Sequence, residues 1–127
     1  MTIIPFEGVG AITFGMSQDT VVAALGSPER AGISRKDITE LHYPTACYRF
    51  DSSAKLVEIT VDAPVVEFGP VSVSFKMLGP YLRQHDKGVF ERVGFVVSPV
   101  LGIALDPHFS SWVTTFARER LSSWQAV

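Results

Sequence analysis

The string Gly10-Ala11-Ile12-Thr13-Phe14-Gly15-Met16-Ser17, followed by Val21, Val22, Leu25, Gly26 and Pro28, spells a complete structural unit: a strand, a capped helix and a stop. Ile12 and Phe14 alternate with Ala11 and Thr13 as a half-buried strand does, and Gly15 frees the backbone for a turn. Ser17 is placed to accept a hydrogen bond from an orphan amide of the first turn, and Asp19 lies against the positive end of the helix dipole. Val21, Ala24 and Leu25 fall on one helical face with Val22 at its edge. Gly26 stands where a left-handed cap would close the helix, and Pro28 blocks continuation. A helix of about nine residues does not persist alone in water, so it must pack on a sheet.

The remainder of the chain supplies that sheet. Ser27 to Asp37 reads as an exposed polar linker, with Pro28, Gly32 and Ser34 as breakers. Ile38–Tyr43, Ala46–Phe50 and Leu56–Asp62 are strand-like, the last two joined by the turn-forming Asp51-Ser52-Ser53-Ala54-Lys55 into an antiparallel hairpin. A second half begins near Pro64: a strand over Val71–Phe75, a short helix over Leu78–Asp86 with Pro80 in its first turn, and strands over Val93–Val97 and Leu101–Leu105. Trp112–Ala117 can be read as a strand from Val113, Thr114 and Thr115, or as a helical stripe from Val113, Phe116, Ala117, Leu121 and Trp124; the strand is preferred. Ile12-Thr13-Phe14-Gly15-Met16 and Val73-Ser74-Phe75-Lys76-Met77 are alike in character, each ahead of a short helix, which suggests pseudo-repeats over 8–62 and 67–117 within one domain, 1–127. The expected fold is therefore α+β, a mainly antiparallel twisted sheet with two short helices.

Ile12-x-Phe14-Gly15-Met16-Ser17, with Val21, Leu25-Gly26 and Pro28, then the aromatic strand ending in Phe50-Asp51 and the return strand Leu56-Val57-Glu58-Ile59, resembles the repeat of beta-lactamase-inhibitor-like and outer-membrane-assembly lipoprotein (SmpA/OmlA) domains. That pattern recurs in small bacterial proteins, some of them regarded as immunity proteins of polymorphic toxin systems. The chain departs from it in two ways: it has no lipobox cysteine, and it lacks the cysteine pairs of the secreted inhibitors. The resemblance thus implies a cytoplasmic relative that binds another protein, such as a toxin, across a curved sheet.

Composition narrows the remaining classes. With 46% hydrophobic residues in 127, the chain can bury a core, and no apolar run approaches the ~20 residues that span a bilayer. The start Met1-Thr2-Ile3-Ile4-Pro5 has no secretory pattern, and the single Cys47, in an apolar strand, reads as a buried packing residue of a reducing compartment. A net charge of −2 with scattered basic residues, Arg35-Lys36 and Arg118-Arg120 being the small groups, gives no nucleic-acid stripe. His42, His85 and His108 have no short metal-ligand spacing among themselves, and no metal or cofactor is expected. His85-Asp86 and Asp106-Pro107-His108 read as element ends, and Gly8-Val9-Gly10 is neither a dinucleotide fingerprint nor a P-loop.

No residue pattern carries a catalytic assignment, so the expectation is a non-enzymatic binding protein. The other class left open is a small enzyme or ligand-binding module with a pocket between the halves. Pairing Phe50 with Leu56 and alternating strictly puts Tyr48, Phe50, Leu56, Glu58 and Thr60 on one face, and Cys47, Arg49, Val57, Ile59 and Val61 on the other. The first face combines aromatics with an acid, which makes Tyr48, Phe50, Glu58 and Thr60 the candidate partner-binding residues. The bland counterpart is that Tyr48 and Phe50 are covered by the second half of the chain.

Overall fold

In the computed structural model, which describes residues 1–34 and 37–126, the chain folds around one eight-stranded antiparallel sheet. The basic pair Arg35-Lys36 lies outside the described residues. Three short strands, β1 (Ile3–Ile4), β2 (Gly8–Val9) and β3 (Ile12–Thr13), lead into helix α1 (Gln18–Leu25), followed by β4 (Arg30–Ile33), β5 (Thr39–Tyr43), β6 (Ala46–Phe50) and β7 (Leu56–Asp62). The second half runs in a similar order with one strand fewer ahead of its helix: a hairpin of β8 (Val65–Phe68) and β9 (Val71–Ser74), helix α2 (Phe75–His85), then β10 (Phe90–Arg92), β11 (Phe95–Ser98), β12 (Ile103–Leu105) and β13 (Trp112–Phe116). A 3-10 turn (Arg118–Arg120) and helix α3 (Leu121–Ala126) close the chain. Each four-strand run is a meander, and the two meet through their last strands in the order β10-β11-β12-β13-β7-β6-β5-β4. At the join, Thr60 stands opposite Thr114, and their hydroxyls share a hydrogen bond of 2.8 Å.

The first unit forms as its residues dictate. Thr20 N–H donates to Ser17 Oγ at 3.2 Å, and Gly26, at φ +86°, returns its amide to the Val22 carbonyl at 2.8 Å. Helix α1 docks shallowly, however: Val21 is buried while Ala24 and Leu25 of its expected apolar face stay exposed. Two further expectations are corrected. The segment taken as a linker contains the fully exposed edge strand β4, held by β5 alone through Arg30↔His42 to Ile33↔Thr39. Helix α2 begins three residues early, at Phe75, so Pro80 lies beyond the first turn and gives no i→i−4 bond to the Lys76 carbonyl. The ambiguous C-terminal stretch resolves as strand β13 followed by α3.

The sheet has two unlike faces. On the inner face Leu41, Tyr48, Phe50, Ile59, Val61, Val113, Ile103 and Leu105 form the core with Val21 of α1, Phe75, Leu78 and Leu82 of α2, and the hairpins through Ile3, Ile12 and Val66. On the outer face a smaller cluster of Val97, Ala104 and Phe116 is covered by Phe6, Phe90, Phe95, Leu121 and Trp124. The buried Asp86 carboxylate fastens the end of α2 to the β11–β12 turn. It accepts from Ser98 Oγ at 2.7 Å, Val100 N–H at 3.0 Å and Gly88 N–H at 2.8 Å. Burial alone would raise its pKa, but these donors outweigh burial and hold it below the ordinary aspartate value.

Asp86→Ala should therefore lower stability by about 3 kcal/mol in urea unfolding near neutral pH. Because the folded-state pKa is depressed, that contribution is full above the unfolded value near pH 4 and is lost as pH falls through the folded value, so the gap to wild type should close on acidification. Thr115 Oγ1 is buried without a hydrogen-bond partner. Thr115→Val, of equal size, should raise stability by about 1 kcal/mol.

Candidate functional site

The four residues expected to share a binding face are divided between the two faces of the sheet. Phe50 does pair with Leu56, but a register shift between Arg49 and Phe50 leaves Val57 as an extra residue, so that Arg49 stands opposite Glu58 and Tyr48 opposite Ile59. A bulge inverts alternation on one side of itself. Tyr48 and Phe50 consequently point into the core, at 7% and 0% exposure, while Glu58 and Thr60 point outward with Cys47 and Arg49. Tyr48 packs edge-on against Tyr43 at 5.5 Å between ring centroids. Neither aromatic is accessible to a partner.

Glu58 and Thr60 belong instead to a charge network on the outer face. Glu58 Oε1 accepts from Trp124 Nε1 at 3.0 Å and Arg120 Nε at 3.3 Å, and its other oxygen lies 3.8 Å from Arg49 Nη1. Arg49 donates through Nη1 to Thr60 Oγ1 at 2.7 Å and through Nε to Glu40 Oε2 at 2.9 Å. Glu40 Oε1 sits 3.2 Å from His42 Nε2. Burial would raise the Glu40 pKa, yet the Arg49 hydrogen bond and charge, helped by His42, keep it below the usual carboxylate value. These charges are paired with one another, so the network ties the C-terminal segment to the sheet.

Cys47 stands directly across from His42, and Glu40 lies two residues along the same strand, so all three side chains reach one spot on the outer face. One donor atom from each lies within 4.8 Å of the other two. Burial pushes the Cys47 thiol pKa up. The spacings among the histidines could not reveal this trio; the two-residue connection Pro44-Thr45, which sets His42 opposite Cys47, could have.

A different kind of site lies on the other side of the molecule. A cleft of about 760 Å³ opens between α2, β11–β12 and the loop after β12. Phe75, Val96, Leu105, Pro64, Pro80 and Pro107 make its walls apolar, Ser74, Ser110 and Ser111 add hydroxyls, and Lys76 and Arg83 bring positive charge. Ser74 stands just ahead of α2, at its N-cap, without spending its hydroxyl on the cap, and Gly79 leaves room for the cleft: a Cβ there would meet no heavy atom within 4 Å beyond its own helix and chain neighbours. His85, Asp86 and His108 do not line it. The cleft lies mostly within the second half, touching the junction at Pro64, and it was not legible in sequence because Pro80 read only as a first-turn residue of a helix and the other walls come from elements distant from it in the chain.

Comparison with protein-family models, curated proteins and solved structures returns no match. No helix among the described residues is long and apolar enough to cross a membrane.

Phe50→Ala should cost about 3–5 kcal/mol of stability, and Tyr48→Ala a comparable loss, both read by urea unfolding, as expected of core cavities. Small losses for both variants would place these rings outside the core.

Proposed function

We propose that this chain is a non-enzymatic protein-binding domain, of the immunity-like kind that acts in the cytoplasm by occluding a partner, and that it takes that partner through the α2 cleft. The structural observation behind this reading is the cleft itself, an open apolar recess with cationic groups beside it. Binding energy at protein interfaces concentrates where an anchor side chain enters a desolvated pocket surrounded by polar groups. Two large apolar side chains adjacent in sequence to lining residues are exposed: Phe109, between Pro107 and Ser110, at 67%, and Met77, next to Lys76, at 53%. Lys76 and Arg83 favour a partner segment whose apolar anchor is flanked by acidic side chains. Arg83 already pairs with Glu91 at 2.8 Å on the surface, so Lys76 is the cation more available to such an acid. The resemblance to inhibitor-like repeats supports the same class of function, with the interface moved from the sheet hairpin to the helix side.

The test is affinity capture from the native cells with the wild-type protein beside Gly79→Leu, which fills the cleft, and Lys76→Glu, which reverses its charge, followed by calorimetry on the protein retained. Binding should weaken at least tenfold for each variant while thermal unfolding changes little. Equal capture and equal affinity for wild type and both variants would move the interface elsewhere, and selective loss of a bound small molecule instead of a protein would favour the ligand-binding class.

A further inference from the structure

We infer that Glu40, His42 and Cys47 form a binding site for a zinc ion on the outer face of the β5–β6 hairpin. The argument starts from register. His42 and Cys47 are directly opposed partners on adjacent strands, two-residue turn next door, so their Cβ atoms are held about 5 Å apart by the ladder itself. Glu40 shares the face of His42, two residues along β5. The three donor atoms lie within 4.8 Å of one another. Tetrahedral zinc with bonds of about 2.0–2.3 Å sets its ligands about 3.3–3.8 Å apart, so side-chain rotation of about 1 Å closes the set.

The donor chemistry selects the ion. One imidazole nitrogen, one sulfur and one carboxylate oxygen form a mixed set suited to a borderline-soft divalent cation, and a hard ion such as magnesium requires oxygen ligands throughout. Three protein ligands leave the fourth position to water or to a group from a partner. The surroundings are already arranged for it: Arg49 Nε holds Glu40 through Oε2, leaving Oε1, now 3.2 Å from His42 Nε2, to turn onto the metal. Arg49 is then the outer-shell group that orients the ligating carboxylate. On binding, the Cys47 thiol releases its proton to solvent and the sulfur lone pair forms the zinc–sulfur bond; no oxidation state changes. Glu40 and His42 are about one-quarter exposed, which leaves the ion a path from solvent. The site is independent of the cleft.

Cobalt titration of the reduced, chelator-treated full chain tests this. A one-to-one complex is expected, with a thiolate-to-cobalt charge-transfer band and the strong visible bands of tetrahedral coordination, bleached by an equivalent of zinc and unaffected by excess magnesium. Cys47→Ser should remove the charge-transfer band. His42→Gln and Glu40→Gln, which retain size and hydrogen-bonding capacity, should weaken binding at least tenfold, and His85→Gln and His108→Gln should leave it unchanged. Zinc should also raise the thermal midpoint of wild type and not of Cys47→Ser, with each variant's fold checked by circular dichroism in chelator. Absence of the one-to-one band in wild type, or undiminished binding in both His42→Gln and Glu40→Gln, overturns the assignment.

Discussion

A single unpaired residue decides what each face of this sheet is made of. Without the bulge at Val57, strict alternation from the Phe50↔Leu56 pair would send Glu58 and Thr60 into the core beside Phe50 and would bring Ile59 and Val61 out to solvent. With it, Leu56 and Ile59 both face inward and Glu58 faces outward, though only three positions separate the first from the second. An unpaired carboxylate in that core would cost several kcal/mol, more than a local irregularity in one ladder. Strand β7 sits at the centre of the sheet, paired with β6 and β13, so its choice of faces propagates to both halves.

From that choice the rest of the outer face follows. Glu58, now outward, becomes the acceptor on which the Trp124 indole and Arg120 converge, and this is what holds a six-residue helix with no buried residue of its own against the sheet. Trp124 in turn stacks near Phe116, at 5.8 Å between centroids, and meets Phe95 at 5.3 Å. A helix that short contributes almost nothing through backbone propagation, so its position depends on these side-chain contacts. The opposite helix, α2, is secured differently, by Phe75, Leu78 and Leu82 in the core and by the Asp86 carboxylate at its end.

The parts of the fold legible in the sequence are those with local signals. Ser17, Gly26 and Pro28 bracket α1, and alternation marks β6 and β7, because caps and period-two burial are written in adjacent residues. Strand β4 was hidden because all of Arg30–Ile33 is exposed, and an edge strand with no buried side needs no apolar period. The bulge was hidden because Val57 fits either strand face equally well, and only long-range burial decides between them. Trp112–Ala117 carried both periods since Val113 and Phe116 serve a strand while Leu121 and Trp124 serve the helix that follows. The cleft depends on which distant elements become neighbours, which no local window contains, whereas the Glu40, His42 and Cys47 trio needed only the register that the Pro44-Thr45 turn sets between β5 and β6.

The two faces also differ in what they can offer a partner. On the outer face each outward charge of β5–β7 already has an opposite charge or hydroxyl within reach, and a protein docking there would strip water from paired ions whose mutual attraction is already realised. Little net energy is available from such a surface. The α2 cleft has the reverse balance: most of its wall is apolar, and an aromatic anchor of about 200 Å² placed in it gains about 5 kcal/mol at 25 cal/mol per Å² before the costs of association. A metal ion on the outer face escapes this argument, since it brings its own charge to a carboxylate and a thiol and replaces only one weak pairing, between Glu40 and His42. The same division that makes the outer face a poor protein interface leaves it suited to a small cation, while the apolar recess on the helix side is the surface where burying an apolar group would gain most.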